Sequence, residues 1–313
     1  YINGCVMSLY ENLRLAAVVV TYNRKQLLVE CLRALLRQTV CIDRIFIINN
    51  ASTDGTNEYL EEQGLLSYAS INLENMNQNE GGAGGFYRGI KNAYDSGFDY
   101  VFLMDDDGYP AEDCLEKLLA NRQANHCLGA LVVDKDNPTR LAFPLRLSGS
   151  ARVIDNVDEA VVQPVLTGVV VPFNGVLLDR DLIERFGYPR ADYFIWGDDM
   201  EYIWRLQAAN VTLCTITEAL FYHPRQIELG TPMLWGTMRF NDSSSLLKLY
   251  CMGRNNSLNL RKYKGRLAFF IFVFKCLWFY SFTRPNMKKL KTVLIGVWHA
   301  LRGDLSHHST YLS

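Results

Sequence analysis

Apolar positions along this chain fall into short unbroken runs that alternate with helical stripes. Residues 15–20 are continuously apolar and lead into the turn-like Thr21-Tyr22-Asn23. Residues 25–37 then carry apolar side chains at 27, 28, 31, 32, 35 and 36, the stripe of a helix with one buried face. A second strand is predicted at 44–48, closed by a segment, 49–55, rich in turn and N-cap formers. A weaker third strand follows at 67–73, a helix at 85–96 and a fourth strand at 100–104. Runs without polar alternation belong to strands covered on both faces. Their alternation with helices implies a mostly parallel sheet flanked by helices, an α/β fold. Further strands are predicted at 128–133, 165–171 and 211–215, and helices at about 179–186 and 198–209.

The C-terminal quarter has a different pattern. Residues 267–282 are nearly all apolar or aromatic, interrupted by Lys275 and Ser281, and basic clusters flank them at 261–266 and 288–291. Sixteen residues are short for a bilayer span, which needs about 20. A helix lying in the membrane interface, with basic flanks on anionic headgroups, suits the pattern better than a span. A core helix of a C-terminal bundle, or a dimer interface, is the competing reading.

Charge sharpens this division. The net charge is −1, yet residues 243–303 hold twelve Lys or Arg and no Asp or Glu, so an acidic body carries a basic tail. Nucleic acid is not the expected partner, because a dense Phe/Leu/Ile run is unlike a groove that tracks phosphates. The eight cysteines are scattered without a C-x-x-C pair and several sit in apolar runs, which fits a reducing cytosol better than a disulfide framework. The chain does not open on Met, and Met7 is the expected start.

Two carboxylate clusters carry the candidate chemistry. Asp105-Asp106-Asp107 stands directly behind the fourth apolar run, and ligands of open α/β sheets bind outside the carboxyl ends of the strands. Three adjacent anions call for a cation, either a hard divalent ion shared with substrate phosphates or simply an acidic loop that caps a helix starting near Pro110. The second cluster is Asp198-Asp199-Met200-Glu201 behind Trp196-Gly197. Asp198 and Glu201 share a helix face there, and Asp199 points elsewhere as a candidate general base. N-terminal helix charge explains the same pattern equally well. His223 could complete an oxygen-rich shell for Mn²⁺. Arg88, Arg225 and Arg254 are candidate diphosphate clamps. The Gly-rich stretch 79–86 fails the G-x-G-x-x-G pattern, since Tyr87 stands where the third glycine belongs. It reads as backbone that approaches a nucleotide or sugar, or as a surface turn.

In order along the chain these pieces resemble inverting family 2 glycosyltransferases with a GT-A fold, over roughly residues 14–260. Val18-Val-Val-Thr-Tyr-Asn-Arg24 resembles that family's opening strand and nucleotide-contacting turn. Ile47-Ile-Asn-Asn-Ala-Ser-Thr-Asp-Gly55 resembles its second turn, with Asn49 where an acid is common. Asp105–Asp107 matches the D-x-D metal motif. Within the family, Asn79–Phe86, Phe173-Asn-Gly175, Phe194–Glu201 with Arg205, and Tyr250–Asn255 are similar to bacterial galactofuranosyl- and rhamnosyltransferases. The Q-x-x-R-W signature of processive synthases is absent.

The resemblance implies the following site. Thr21, Tyr22, Asn23, Arg24, Asn50, Asp54, Asn79, Gly82, Arg88, Asp105 and Asp106 hold the nucleotide sugar, a UDP- or dTDP-linked donor. Asp105, Asp107 and His223 ligate Mn²⁺ or Mg²⁺, and Asp199 is the base. Trp196, Asp198, Glu201 and Asn174 contact a lipid-linked glycan acceptor. The implied organisation is an N-terminal extension at 1–13, a catalytic domain at 14–240 and a helical basic, aromatic, membrane-associating region at 241–313. The implied location is the cytoplasmic face of the membrane, with homo-oligomerisation left open.

Overall fold

The computed structural model describes residues 13–147, 153–225 and 230–312. Met7 and all but residue 13 of the expected N-terminal extension lie outside the described residues. The chain divides into two compact units. The first comprises Tyr1–Glu80, Gly85–Tyr188 and Ala209–Arg225, and the second Gly81–Gly84, Pro189–Ala208 and Gln226–Ser313.

In the first unit β1 (Leu15–Thr21), β2 (Arg44–Asn49), β3 (Ile71–Asn75) and β4 (Tyr100–Asp105) pair in parallel in the order β3-β2-β1-β4. They are connected by α1 (Lys25–Leu36), α2 (Thr56–Glu62) and α3 (Gly81–Asp95). All seven residues of β1 are buried, as an unbroken apolar run between two layers requires. The third strand begins later than the expected 67–73, because Leu65–Ser67 forms a 3₁₀ turn. Helix α3 begins four residues earlier than predicted. Gly85 and Gly89 lie against β1, where a Cβ would sit 2.4 or 2.3 Å from a methyl of Val20 or Val18. Close packing thus outweighs the poor helix propensity of glycine.

Beyond β4 come β5 (Tyr109–Pro110), α4 (Cys114–Ala120), β6 (His126–Asp134), β7 (Arg140–Arg146) and β8 (Val153–Asn156). After them follow α5 (Val157–Ala160), β9 (Val165–Thr167), β10 (Asn174–Asp179), α6 (Arg180–Phe186) and β11 (Thr212–His223). The helix expected near Pro110 starts instead at Cys114, because residues 109–110 pair with β11. The sheet continues β4-β10-β6-β11-β5. Strand β10 runs antiparallel to both β4 and β6, while β6 and β11 are parallel. The sheet is therefore mixed, which corrects the mostly parallel expectation for all but its first four strands. Cys31, Cys114, Cys127, Cys214, Cys251 and Cys276 are free and buried, whereas Cys41 is disulfide-bonded, against the expectation of thiols throughout.

The second unit contains α7 (Asp198–Ala208), the hairpin of β12 (Thr231–Met233) and β13 (Met238–Phe240), and the helices α8 (Leu246–Asn259), α9 (Arg266–Trp278) and α10 (Met287–Arg302). Leu249, Met252, Phe269, Cys276, Phe279, Tyr280 and Val293 form its core. The opposite face of α9 is bare: Leu267, Phe270, Ile271, Phe274 and Leu277 are all exposed.

Candidate active site

The turns after the parallel strands interlock. The backbone N–H of Asn23 donates to the Ser52 hydroxyl (2.9 Å), and the Asn23 side-chain oxygen accepts from the backbone N–H of Thr53 (2.7 Å). Asn50 is buried; its amide donates to Asn79 (3.0 Å) and its carbonyl oxygen accepts from the backbone N–H of Glu80 (2.9 Å). Asp54 fixes the start of α1 through Lys25, whose ammonium donates to the Asp54 carbonyl (2.7 Å). Asn49, which stands where an acid was expected, donates to Asn57 and Asn75, both at 2.9 Å. Tyr22 is exposed beside this network. Turns tied in this way form a braced rim at the carboxyl edge of the strands, the edge where open α/β sheets take ligands.

The three aspartates play different parts. Asp106 is turned inward, 3% exposed, and accepts from the Thr21 hydroxyl (2.7 Å) and from Arg24 (3.2 Å). It thereby ties the turn after β1 to the turn after β4. Arg24 also reaches Asp107 (2.8 Å), so part of the neutralising charge comes from this arginine. Arg24 is thereby a partner of the aspartates as well as a candidate donor contact.

Asp107 and His223 meet because β5 pairs with the end of β11 and because Gly108 leaves room. A Cβ there would lie 2.3 Å from the Phe221 ring. His223 Nδ1 is 2.7 Å from the Pro224 carbonyl oxygen, so Nδ1 bears the hydrogen. Nε2 of the same ring faces Asp107 Oδ1, 3.1 Å away. That oxygen is buried and makes no hydrogen bond of acceptable geometry. Two electron pairs facing at this distance repel unless a proton or a cation stands between them. Burial pushes the Asp107 carboxyl up, but the His223 ring and Arg24 outweigh it and hold it below its ordinary value. An imidazole nitrogen and a carboxylate oxygen so disposed fit a divalent ion that takes further oxygen ligands from a diphosphate. No group of three or more His, Cys, Asp or Glu gathers for a metal among the described residues. Asp105 stands at the end of β4, two residues before Asp107.

In the second unit, the segment before α7 is held by an unusual set of donors. Arg254, Asn255 and Asn259 of α8 are all buried. Asn255 donates to the carbonyls of Tyr193 (3.0 Å), Ile195 (3.0 Å) and Trp196 (2.8 Å). Asn259 donates to Gly197 (2.8 Å), and Arg254 to Asp192 (3.2 Å) and Tyr193 (2.8 Å). Phe194 and Trp196 are fixed at φ of 64° and 73°, left-handed conformations that cost side-chain-bearing residues energy. This frame presents Asp198 and Asp199 at the start of α7. Burial raises both carboxyls above the ordinary range, and for Asp198 the neighbouring Asp199 charge adds to it. Adjacent carboxylates pushed upward are candidates for proton transfer near neutral pH.

Several expected site residues have partners within the chain. Glu201 is 1% exposed and pairs with Arg205, the Tyr263 hydroxyl (2.6 Å) and Lys262 (3.5 Å), so it braces the helix. Arg254 is wholly buried with its donors on backbone carbonyls, and Nη2 of Arg225 donates to both oxygens of Asp155 (2.9 Å each), so both guanidinium groups already have partners within the chain. Arg88 is half-exposed and 3.5 Å from Glu74. A Cβ on Gly82 would meet nothing within 4 Å, so no crowding within the chain requires that glycine. Asn174 is buried with an unbonded side-chain oxygen, its amide donating to the Pro172 carbonyl (3.0 Å). The Asn255 and Asn259 donors were missed in the sequence, although a run of Arg, Asn and Ser in the middle of a helix was a usable signal, since such residues are poor helix formers.

The sequence model described as "Glycosyl transferase family 2" matches residues 16–182. Galactofuranosyltransferase GlfT1 of Mycobacterium tuberculosis is 32% identical over 292 residues, covering 91% of this chain and 92% of the relative. Among solved structures, S. aureus TarS 1-349 superimposes with a TM-score of 0.57 at 12% identity, over 96% of this chain and 83% of its own. A mannosyltransferase from Pyrobaculum calidifontis, solved with GDP-Man and Mn²⁺, gives 0.53 at 15% identity, over 96% and 78%. These structures share the α/β GT-A fold with its mixed central sheet. The chain belongs to glycosyl transferase family 2 and is a nucleotide-sugar glycosyltransferase.

Proposed function

We propose that the chain transfers galactofuranose from a uridine diphosphate donor to a hydroxyl of a lipid-linked glycan, with inversion at the anomeric carbon. The observation that carries this reading is the likeness to a galactofuranosyltransferase over nearly the full length of both chains. The interlocked turns at residues 21–24, 49–55 and 79–80 bind the nucleotide. Asp107 and His223 would hold Mn²⁺ or Mg²⁺, the former being the ion in the mannosyltransferase structure. Such an ion, when bound, supplies positive charge to the departing diphosphate. Asp199 takes the proton of the acceptor hydroxyl as that oxygen bonds to the anomeric carbon. The bond from the anomeric carbon to the diphosphate oxygen breaks with its electron pair leaving on the diphosphate. One displacement needs no covalent sugar on the protein. Asp198 and Trp196 border the acceptor, and burial keeps Asp199 basic enough to act.

The bare face of α9 supports a peripheral place on the membrane. Residues Arg266–Thr283 are long and apolar enough to cross a bilayer by length and composition, and 22% of them are buried. The buried positions, Phe269, Cys276, Phe279 and Tyr280, are committed to the core of the second unit. The exposed row of Leu267, Phe270, Ile271, Phe274 and Leu277, flanked by Arg261, Lys262, Lys264, Lys288 and Lys291, suits a helix lying in the headgroup layer of anionic lipid.

The reading is tested with a donor panel of UDP-galactofuranose, dTDP-rhamnose and UDP-pyranoses, with Mn²⁺ and a lipid-linked acceptor, followed by mass spectrometry. Asp199→Asn should keep donor binding and lose turnover by orders of magnitude. A protein that binds nucleotide sugar without turnover would show no difference between Asp199→Asn and wild type.

A further inference from the structure

A cavity of about 420 Å³ opens within the second unit, lined among others by Trp196, Ser243, Ser244, Asp242, Arg284 and Lys289. Its polar groups are mostly donors. Lys289 is balanced by Asp242, with its ammonium 2.9 Å from both carboxylate oxygens. Arg284 is exposed and pairs with no carboxylate among the described residues. Two helices also start at this wall. Ser243 and Ser244 precede Ser245, the N-cap of α8, and Arg284 and Lys289 bracket Asn286, the N-cap of α10. The positive ends of these helices, of 14 and 16 residues, add to the cationic side chains. The chain enters the cavity wall straight from the bare apolar helix, through Phe282, which is 70% exposed two residues before Arg284. An occupant that is anionic at one end and greasy beside it matches both features.

We propose that this cavity is the subsite for the phosphate group that joins the acceptor glycan to its lipid. Arg284 is its main charged contact, the Ser243 and Ser244 hydroxyls are donors, and Trp196 lies on the side of the sugar. This rests on the reading that the acceptor is lipid-linked and adds where the linking phosphate is read. Bidentate capture by a guanidinium gives geometric selectivity for a phosphate over a neutral alcohol.

The test measures binding of an isoprenoid alkyl phosphate in neutral detergent micelles, beside the matching isoprenoid alcohol, inorganic phosphate and phosphatidylglycerol vesicles. Wild type is predicted to bind the alkyl phosphate, and Arg284→Ala to weaken it about tenfold or more, the usual cost of one charge-assisted contact. Ser243→Ala provides a second variant with a smaller loss in the same direction. Arg284 is exposed, so its replacement leaves the core intact, and an unchanged melting temperature checks this. Equal affinity of Arg284→Ala and wild type overturns the proposal. Inorganic phosphate competing at the affinity of the alkyl phosphate would assign the cavity to a free anion and overturn it. Equal competition by phosphatidylglycerol vesicles would assign it to bilayer headgroups, with the same consequence. Since alkyl phosphate binding needs no turnover, its failure is separable from failure of the transferase reading, which donor consumption reports.

Discussion

Replacing Asn255 by alanine tests whether the frame around Asp198 and Asp199 is what makes them competent. The substitution deletes one amide that donates to three carbonyls at 2.8 to 3.0 Å. Asn255 is 0% exposed, so bulk water cannot take over directly. With two hydrogens shared among three acceptors, the loss is about 2–3 kcal/mol, at roughly 1 kcal/mol per net hydrogen bond plus partial desolvation of the orphaned oxygens. Phe194 and Trp196 sit at positive φ, each storing about 1–3 kcal/mol. The clamp and the strain are thus of similar size, and without the clamp the segment relaxes. Asp199 begins the next helix and moves with it. A displacement of about 1 Å at a reacting group costs on the order of 100-fold in rate. The assay is steady-state donor consumption across pH, with a thermal melt in parallel. The predicted outcome is kcat down by about 100-fold, donor KM within about threefold and an altered acid limb of the pH profile. A lowered melting temperature with unchanged kcat and pH profile would make Asn255 a stabilising residue only and refute the reasoning.

Three further outcomes follow from the same geometry. Asp107→Ala and His223→Ala should each abolish Mn²⁺-dependent donor binding, read by calorimetry; intact metal-dependent binding in both would remove them from the metal site. Asp198 and Asp199 have raised carboxyls, and the base must be ionised. The acid limb of kcat/KM should therefore lie above the ordinary carboxylate value of about 4, because burial raises the Asp199 carboxyl. Stability responds to pH as well. A raised native pKa contributes stability that is present below the unfolded value and lost as pH climbs through the native one, so Asp198→Asn should gain on wild type as pH rises. For the membrane, Phe270→Ala with Phe274→Ala should lower partitioning onto anionic vesicles about tenfold or more, since burying one such ring is worth roughly 1.5–3 kcal/mol; unchanged sedimentation with vesicles would rule this face out.

The continuous runs of β1, β2 and β4 were legible because a strand covered on both faces leaves an unmistakable apolar stretch bounded by turn formers. The direction of a strand has no such signature, and β10 illustrates why. Phe173-Asn-Gly175 reads as a motif of the family, and only pairing with β4 and β6 makes 174–179 an antiparallel strand. The Gly-rich stretch 79–86 reads as ligand-approaching backbone or a surface turn, whereas its Gly85, like Gly89 beyond it, answers to β1 through Val20 and Val18, contacts that are distant in sequence. Within the site, Asp107 with His223 and the Asp198-Asp199 pair could be singled out by residue type alone. The inward turn of Asp106, the bracing role of Glu201 and the burial of Arg254 could not, since each depends on partners fixed by packing. Charged residues look alike in a sequence whether they face a substrate or hold a backbone.

The measurement closest to the central claim is the anomeric configuration and identity of the sugar transferred. Incubating the protein with UDP-galactofuranose, Mn²⁺ and a lipid-linked acceptor, and reading the product by mass spectrometry and NMR, should show one added galactofuranose whose configuration is inverted relative to the donor. Transfer from UDP-pyranoses alone, or a product that retains the donor's configuration, would contradict it.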